Sequence, residues 1–128
     1  MNRESWGKAM KIQSYKDLEV WKKGIEIVKT VYELTRRFPK CELFGLISQM
    51  QRAAVSIPAN VAEGYARQYS KEFSRFCSIS LGSCSELETL VIIAKEQRYL
   101  TENDFIRISE FLDHESRMLM SLTKKLAH

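Results

Sequence analysis

The sequence predicts an all-α fold: an up-down-up-down antiparallel four-helix bundle over residues 15–128, behind a short flexible N-terminal tail over 1–14. Three observations point there. Apolar residues recur at helical spacing through four long segments. Turn residues are scarce, with five Gly and two Pro in 128 residues, which favours a few long elements. The links between periodic segments are short, and short links make antiparallel neighbours. A chain of this length is one domain, able to bury a core without disulfide or metal.

The first helix is expected from Asp17 to Phe38, stopped by Pro39, which cannot continue it comfortably. Leu18, Trp21, Ile25, Val28 and Tyr32 form one apolar row; Val20, Ile27, Val31, Leu34 and Phe38 form a second beside it. Together they cover more of the circumference than a monomer's surface helix needs. One row should face the core and the other a neighbouring subunit. The second helix is expected from Leu43 to Ala66, with Gly64 near its end. It is apolar almost all round, and its face stays in phase across Pro58, so it reads as one helix with a local kink.

The third helix is expected from Ser70, read as its N-cap, to Arg98, with Glu72 in the first turn complementing the dipole. Phe73, Phe76, Cys77, Ser80, Cys84, Leu87, Val91 and Ala94 make its core face. Ser78, Gly82, Ser85 and Thr89 form a row of small groups that would let another helix approach closely. The fourth helix opens at Thr101 with a capping-box echo in Asp104. Phe105, Ile108, Leu112, Leu119, Leu122 and Leu126 follow heptad spacing, and Glu115 fills the slot where an apolar residue is expected.

The net charge of +4 is uneven: residues 1–40 carry ten Lys/Arg against five Asp/Glu, 41–68 and 69–99 each balance, and 100–128 sums to −1. The basic excess therefore belongs to the first segment, and permits an anionic partner such as RNA. The opening MNRESWGKAMKIQS lacks the apolar stretch of a secretory signal, and no apolar run reaches the roughly 18 residues of a membrane span. Cys77 and Cys84 lie two turns apart, roughly 10 Å along the axis, too far for a disulfide. Reduced thiols in a cytoplasmic protein are the expectation, with no membrane contact.

Catalytic chemistry finds no support. A di-metal bundle needs Glu-x-x-His pairs, yet His114 and His128 are the only histidines and neither follows a Glu by three. Cys77 has no histidine placed to activate it. The chain reads as a non-enzyme without cofactor or metal.

DLEVW at Asp17–Trp21, SQMQRAAVSIPANVAEG at Ser48–Gly64 and ELETLVIIAKEQRYL at Glu86–Leu100 together resemble one family. It is the bacterial four-helix-bundle family first noticed as open reading frames within intervening sequences of 23S ribosomal RNA genes. The likeness runs from Tyr15 to Lys125 in order. It implies a closed bundle that assembles into a homo-oligomeric ring, typically a pentamer. It also points, by fold, to the basic ring-forming accessory protein of diversity-generating retroelements, which associates with reverse transcriptase and RNA. The family offers no catalytic residues to carry over.

Two sets of residues follow as candidates. Lys22, Lys29 and Arg36 fall at heptad intervals on the first helix, joined by Lys23, Arg37 and Lys40; Arg67, Lys71 and Arg75 make a second basic patch. Glu19, Glu26 and Glu33 each precede a cation by three residues, the pairing of an ordinary solvated face. On the second helix Gln49, Arg52, Ser56, Asn60, Glu63 and Arg67 form a polar stripe. It is either that helix's solvent edge or a structural network in which Arg52 meets Glu86, Glu88 or Glu115. The expected function is a homo-oligomeric ring binding structured RNA or another nucleic acid through basic surfaces. RNA-recognition signatures with stacked aromatics are absent, so recognition should rest on shape and charge. The alternative is a scaffold for a protein partner, without a nucleic-acid role.

Overall fold

The computed structural model describes residues 14–127 as four helices: α1 (Glu19–Thr35), α2 (Leu46–Ala66), α3 (Ser70–Glu96) and α4 (Glu102–Ala127). Each packs on its neighbour in sequence, and α1 closes the bundle against α4. The expected tail falls outside the described residues except for Ser14, as does His128. Ser14 caps a 3-10 turn, Tyr15–Asp17, by accepting the Lys16 N–H at 3.2 Å.

The two rows of α1 divide, except that Leu18, at the head of the first, is buried with the second. Val20, Ile27, Val31, Leu34 and Phe38 are buried, whereas Trp21, Ile25 and Val28 are half-buried and Tyr32 is exposed. The half-buried row meets α2 along a groove with Val55, Pro58, Ala59 and Ala62. Pro58 lies within one unbroken helix. Gly24 of α1 lets the two helices meet there, since a Cβ on it would stand 3.1 Å from the proline's.

The start of α2 differs from expectation. Residues 40–42 form a 3-10 turn, and Gly45 takes φ −112°, ψ −109°, outside the helical region. Glu42 replaces the missing first turn: its carboxylate accepts the Leu46 N–H at 3.3 Å and the Tyr99 hydroxyl at 3.0 Å. Leu43 and Phe44, expected on the faces of α2, therefore sit in the turn, with Phe44 94% exposed.

Helix α3 starts one residue earlier in its capping frame than expected. Tyr69 is the N-cap, without a side-chain hydrogen bond, and Ser70 is the first helical residue, buried. The helix ends in a Schellman motif: Arg98 takes φ 64°, Tyr99 N–H reaches the Ala94 carbonyl at 3.0 Å and Arg98 N–H that of Lys95 at 2.9 Å. Part of α3 is apolar enough, by length and composition, to cross a membrane, although charged and polar residues interrupt it. In the bundle Phe73, Cys77, Cys84 and Leu87 turn that character into the core. The small row does not meet another helix of the chain: a Cβ on Gly82 would find open space. Thr101 caps α4 as expected, accepting the Asp104 N–H at 3.1 Å.

Candidate functional site

The basic line of α1 is partly spent on pairs. Lys22 meets Glu19 at 3.6 Å, but Glu26 turns to Lys23 at 2.6 Å and Glu33 to Arg107 at 3.6 Å. Lys23 also lies over the Phe111 ring at 4.6 Å, half-buried against α4, and Arg37 pairs with Asp104 at 3.1 Å. Lys29, Arg36 and Lys40 stay exposed and make no ion pair among the described residues. Surface pairs of this kind leave little free positive field around Lys22, Lys23 and Arg37.

The other basic patch gains members that the sequence keeps apart. Antiparallel packing brings the α2–α3 turn, the start of α1 and the finish of α4 to one end of the bundle. Ser74 donates to the Thr123 carbonyl at 3.3 Å, and Tyr65 meets both Tyr15 and Phe73 edge to face. Exposed Lys16, Lys124 and Lys125 thus share an end with Arg67, Lys71 and Arg75. Arg67 and Arg75 both stand over the Phe76 ring, at 5.0 and 4.6 Å, so one buried ring orders two exposed guanidinium groups. Arg67 is held from the other side by Glu63 at 3.0 Å. Asp17, Glu19 and Glu72 are further acids of this end, and Asp17 and Glu19 line one groove with Lys125.

The polar stripe of α2 is an edge, not a charged network. Gln49, Arg52, Glu63 and Arg67 are exposed, and Ser56 and Asn60 are half-buried. Arg52 makes no ion pair among the described residues; Glu86 lines the same shallow groove with Gln49 and Ser56, and Glu88 is exposed on α3. Apart from the exposed Glu63–Arg67 pair, what the structure joins is neutral. The Ser56 and Ser83 hydroxyls lie 2.7 Å apart, Asn60 Nδ2 donates to the Ser56 hydroxyl at 2.9 Å, and Ser80 donates to the Ile57 carbonyl at 2.8 Å. Arg52 stays in water because its desolvation would need a carboxylate in place.

Glu115 makes no ion pair with Arg52 and lies in the core of the bundle with no exposed surface. One carboxylate oxygen would be 3.3 Å from a Cβ on Gly24, and neither oxygen has a hydrogen-bond partner among the described residues. Burial pushes its pKa up to about 8, against the lowering pull of Lys23. Burial, then Glu115, pushes the Cys77 and Cys84 thiols up to about 12, which leaves both inert as nucleophiles. Among the described residues no three His, Cys, Asp or Glu side chains gather as a metal would need.

Against known proteins, residues 16–121 match the 23S rRNA-intervening sequence protein family. The chain belongs to that family. A solved structure of a protein of unknown function from the S23 ribosomal protein family of Bacteroides thetaiotaomicron has the same fold. Its TM-score is 0.76 at 23% identity, over 82% of this chain and 98% of that one. No curated protein matches. The matched span takes in the α2–α3 turn with Arg67, Lys71 and Arg75, while Lys124 and Lys125 lie beyond it.

Proposed function

We propose that this 23S rRNA-intervening sequence family member is a non-enzymatic, cytoplasmic bundle protein that forms a homo-oligomeric ring and binds structured RNA through its basic end. The observation that carries the reading is the convergence of Lys16, Arg67, Lys71, Arg75, Lys124 and Lys125 on one end of the bundle. Cations from three separate elements make a surface rather than a line, and a ring repeats it in every subunit. The ring itself rests on two unlike uncovered faces. One is the α1–α2 face with Tyr32, Leu43, Phe44 and Val55; the other is the face of α3 with Ile79, Ile92, Ile93 and Gly82. Unlike faces that meet head to tail generate closed rings when the rotation closes. Five subunits is the number that the family resemblance implies.

The test is a titration of a labelled ribosomal-RNA hairpin and an unrelated RNA at low and physiological salt. Replacing Lys71, Arg75 and Lys125 by Glu is expected to weaken binding and to flatten its salt dependence by about 0.9 in log–log slope for each lost phosphate contact. The same reversal at Lys22, Lys29 and Arg36 is expected to do less, because Lys22 is already paired. A larger loss from the second set would move the interface to α1. Binding by wild type that vanishes at physiological salt for both RNAs would favour a protein scaffold, for which the exposed Phe44 and its neighbours are the natural contact.

A further inference from the structure

Among the described residues, the α2–α3 turn carries one aromatic side chain that is left largely uncovered. Tyr65, Phe73 and Phe76 on either side are buried, but Tyr69 is 60% exposed. Its ring makes no aromatic contact, and its hydroxyl no hydrogen bond, among the described residues. The backbone there is costly to hold: Gln68 takes φ 75°, a left-handed conformation, and Tyr69 follows in extended conformation. In sequence Tyr69 stands between Arg67 and Lys71, and Arg67 and Arg75 are ordered on the single Phe76 ring.

We propose that Tyr69 is a stacking platform for an unpaired base of RNA, with Arg67, Lys71 and Arg75 holding the flanking phosphates. The inference rests on the RNA reading above and narrows its ligand to RNA with a loop, bulge or single strand at the contact. A flat ring can stack only on a base that has left its helix; an uninterrupted A-form duplex offers this turn its phosphates alone. Charge argues for a polyanion over a protein partner: Arg67, Gln68 and Lys71 are the exposed neighbours here, whereas the exposed apolar cluster of Leu43 and Phe44 belongs to the opposite end of the bundle. Glu63 neutralises part of Arg67, which leaves Lys71 and Arg75 as the stronger phosphate contacts.

The experiment compares an RNA hairpin with an unpaired loop and a blunt duplex of the same stem, by fluorescence anisotropy at physiological salt on the full chain. Wild type is expected to prefer the hairpin. Tyr69→Ala is expected to lower hairpin affinity roughly tenfold or more and to leave duplex affinity unchanged. Tyr69→Phe should bind as wild type. Tyr69→Leu keeps the bulk without the flat π face and should fail like alanine, which separates stacking from loss of bulk. Equal losses on both probes, or none on the hairpin, would overturn the role of Tyr69 and leave the basic end standing. Absence of wild-type binding to either probe would overturn both readings. Dissociation of the assembly by Tyr69→Ala in light scattering would make Tyr69 a subunit contact, and would also overturn the proposal.

Discussion

Glu115→Gln should remove a pH dependence built into the bundle. The carboxyl is fully buried, faces Gly24 and Pro58 across the α1–α2 contact, and has Lys23, Cys77 and Cys84 as its titratable neighbours. Its pKa is about 8 in the folded protein against an ordinary 4.5. The folded value is the higher, so the stability Glu115 contributes is complete below pH 4.5 and is lost as pH rises to 8. At about 1.4 kcal/mol per pH unit the whole window amounts to about 5 kcal/mol, of which about 4 is gone by about pH 7.5. Glutamine has the same shape and cannot ionise. Urea unfolding of both proteins at pH 4 and 7.5, at one protein concentration, should therefore show the variant gaining on wild type by about 4 kcal/mol between the two conditions. Any constant cost of burying the amide cancels in that difference, as do the other carboxylates. Parallel pH profiles for the two proteins would refute the reasoning.

Two further outcomes are expected. Gly64→Ala places a methyl group 2.6 Å from Phe76 Cβ and 2.9 Å from Phe73 Cδ1, where α2 and α3 cross. The overpacking should cost about 2 kcal/mol despite alanine's better helix propensity, read as a melting temperature lower by roughly 8 °C; an unchanged or higher value would show that the helices can part cheaply. A thiol-reactive probe added to the native protein should modify exposed Cys41 quickly and reach Cys77 and Cys84 only on unfolding, since both are buried with their thiols held up to about 12; fast labelling of either buried thiol would mean that the core opens locally.

The helices were legible because a 3.6-residue period survives in the sequence wherever one face must be dry. Which of two adjacent apolar rows on α1 faces the core is not a matter of period. The choice of Val20, Ile27, Val31 and Leu34 follows from α2 and α4 packing there, with Gly24 and Pro58 fixing how closely α2 approaches. The early start expected for α2 failed for a local reason. Leu43 and Phe44 continue the apolar pattern, but Gly45 breaks the backbone and the Glu42 carboxylate supplies the cap three residues further on. Likewise Glu26 stands three residues from both Lys23 and Lys29, so spacing alone cannot assign its partner. The Phe111 ring decides the case by drawing Lys23 inward.

The candidate site was less legible than the fold because charge adds along space, not along sequence. A tally by segment assigns the basic excess to residues 1–40 and gives 100–128 a charge of −1. That sum averages Lys124 and Lys125 with Glu102, Asp104 and Glu110, which sit at the other end of a helix roughly 39 Å long. At physiological ionic strength a charge is felt over about 8 Å, so the two ends of α4 are electrostatically separate objects. Folding the tally by the antiparallel topology, rather than by residue number, groups Lys124 and Lys125 with the α2–α3 turn, and Arg36, Arg37 and Lys40 with the acids of the opposite end. The same folding brings Tyr69 into view. As a sequence position it is one more aromatic residue before a helix, whereas beside Arg67, Lys71 and Arg75 it is an uncovered ring among cations. For an antiparallel bundle, then, the unit in which to count charge is the bundle end, and by that count the cations among the described residues outnumber the acids where α2 turns into α3.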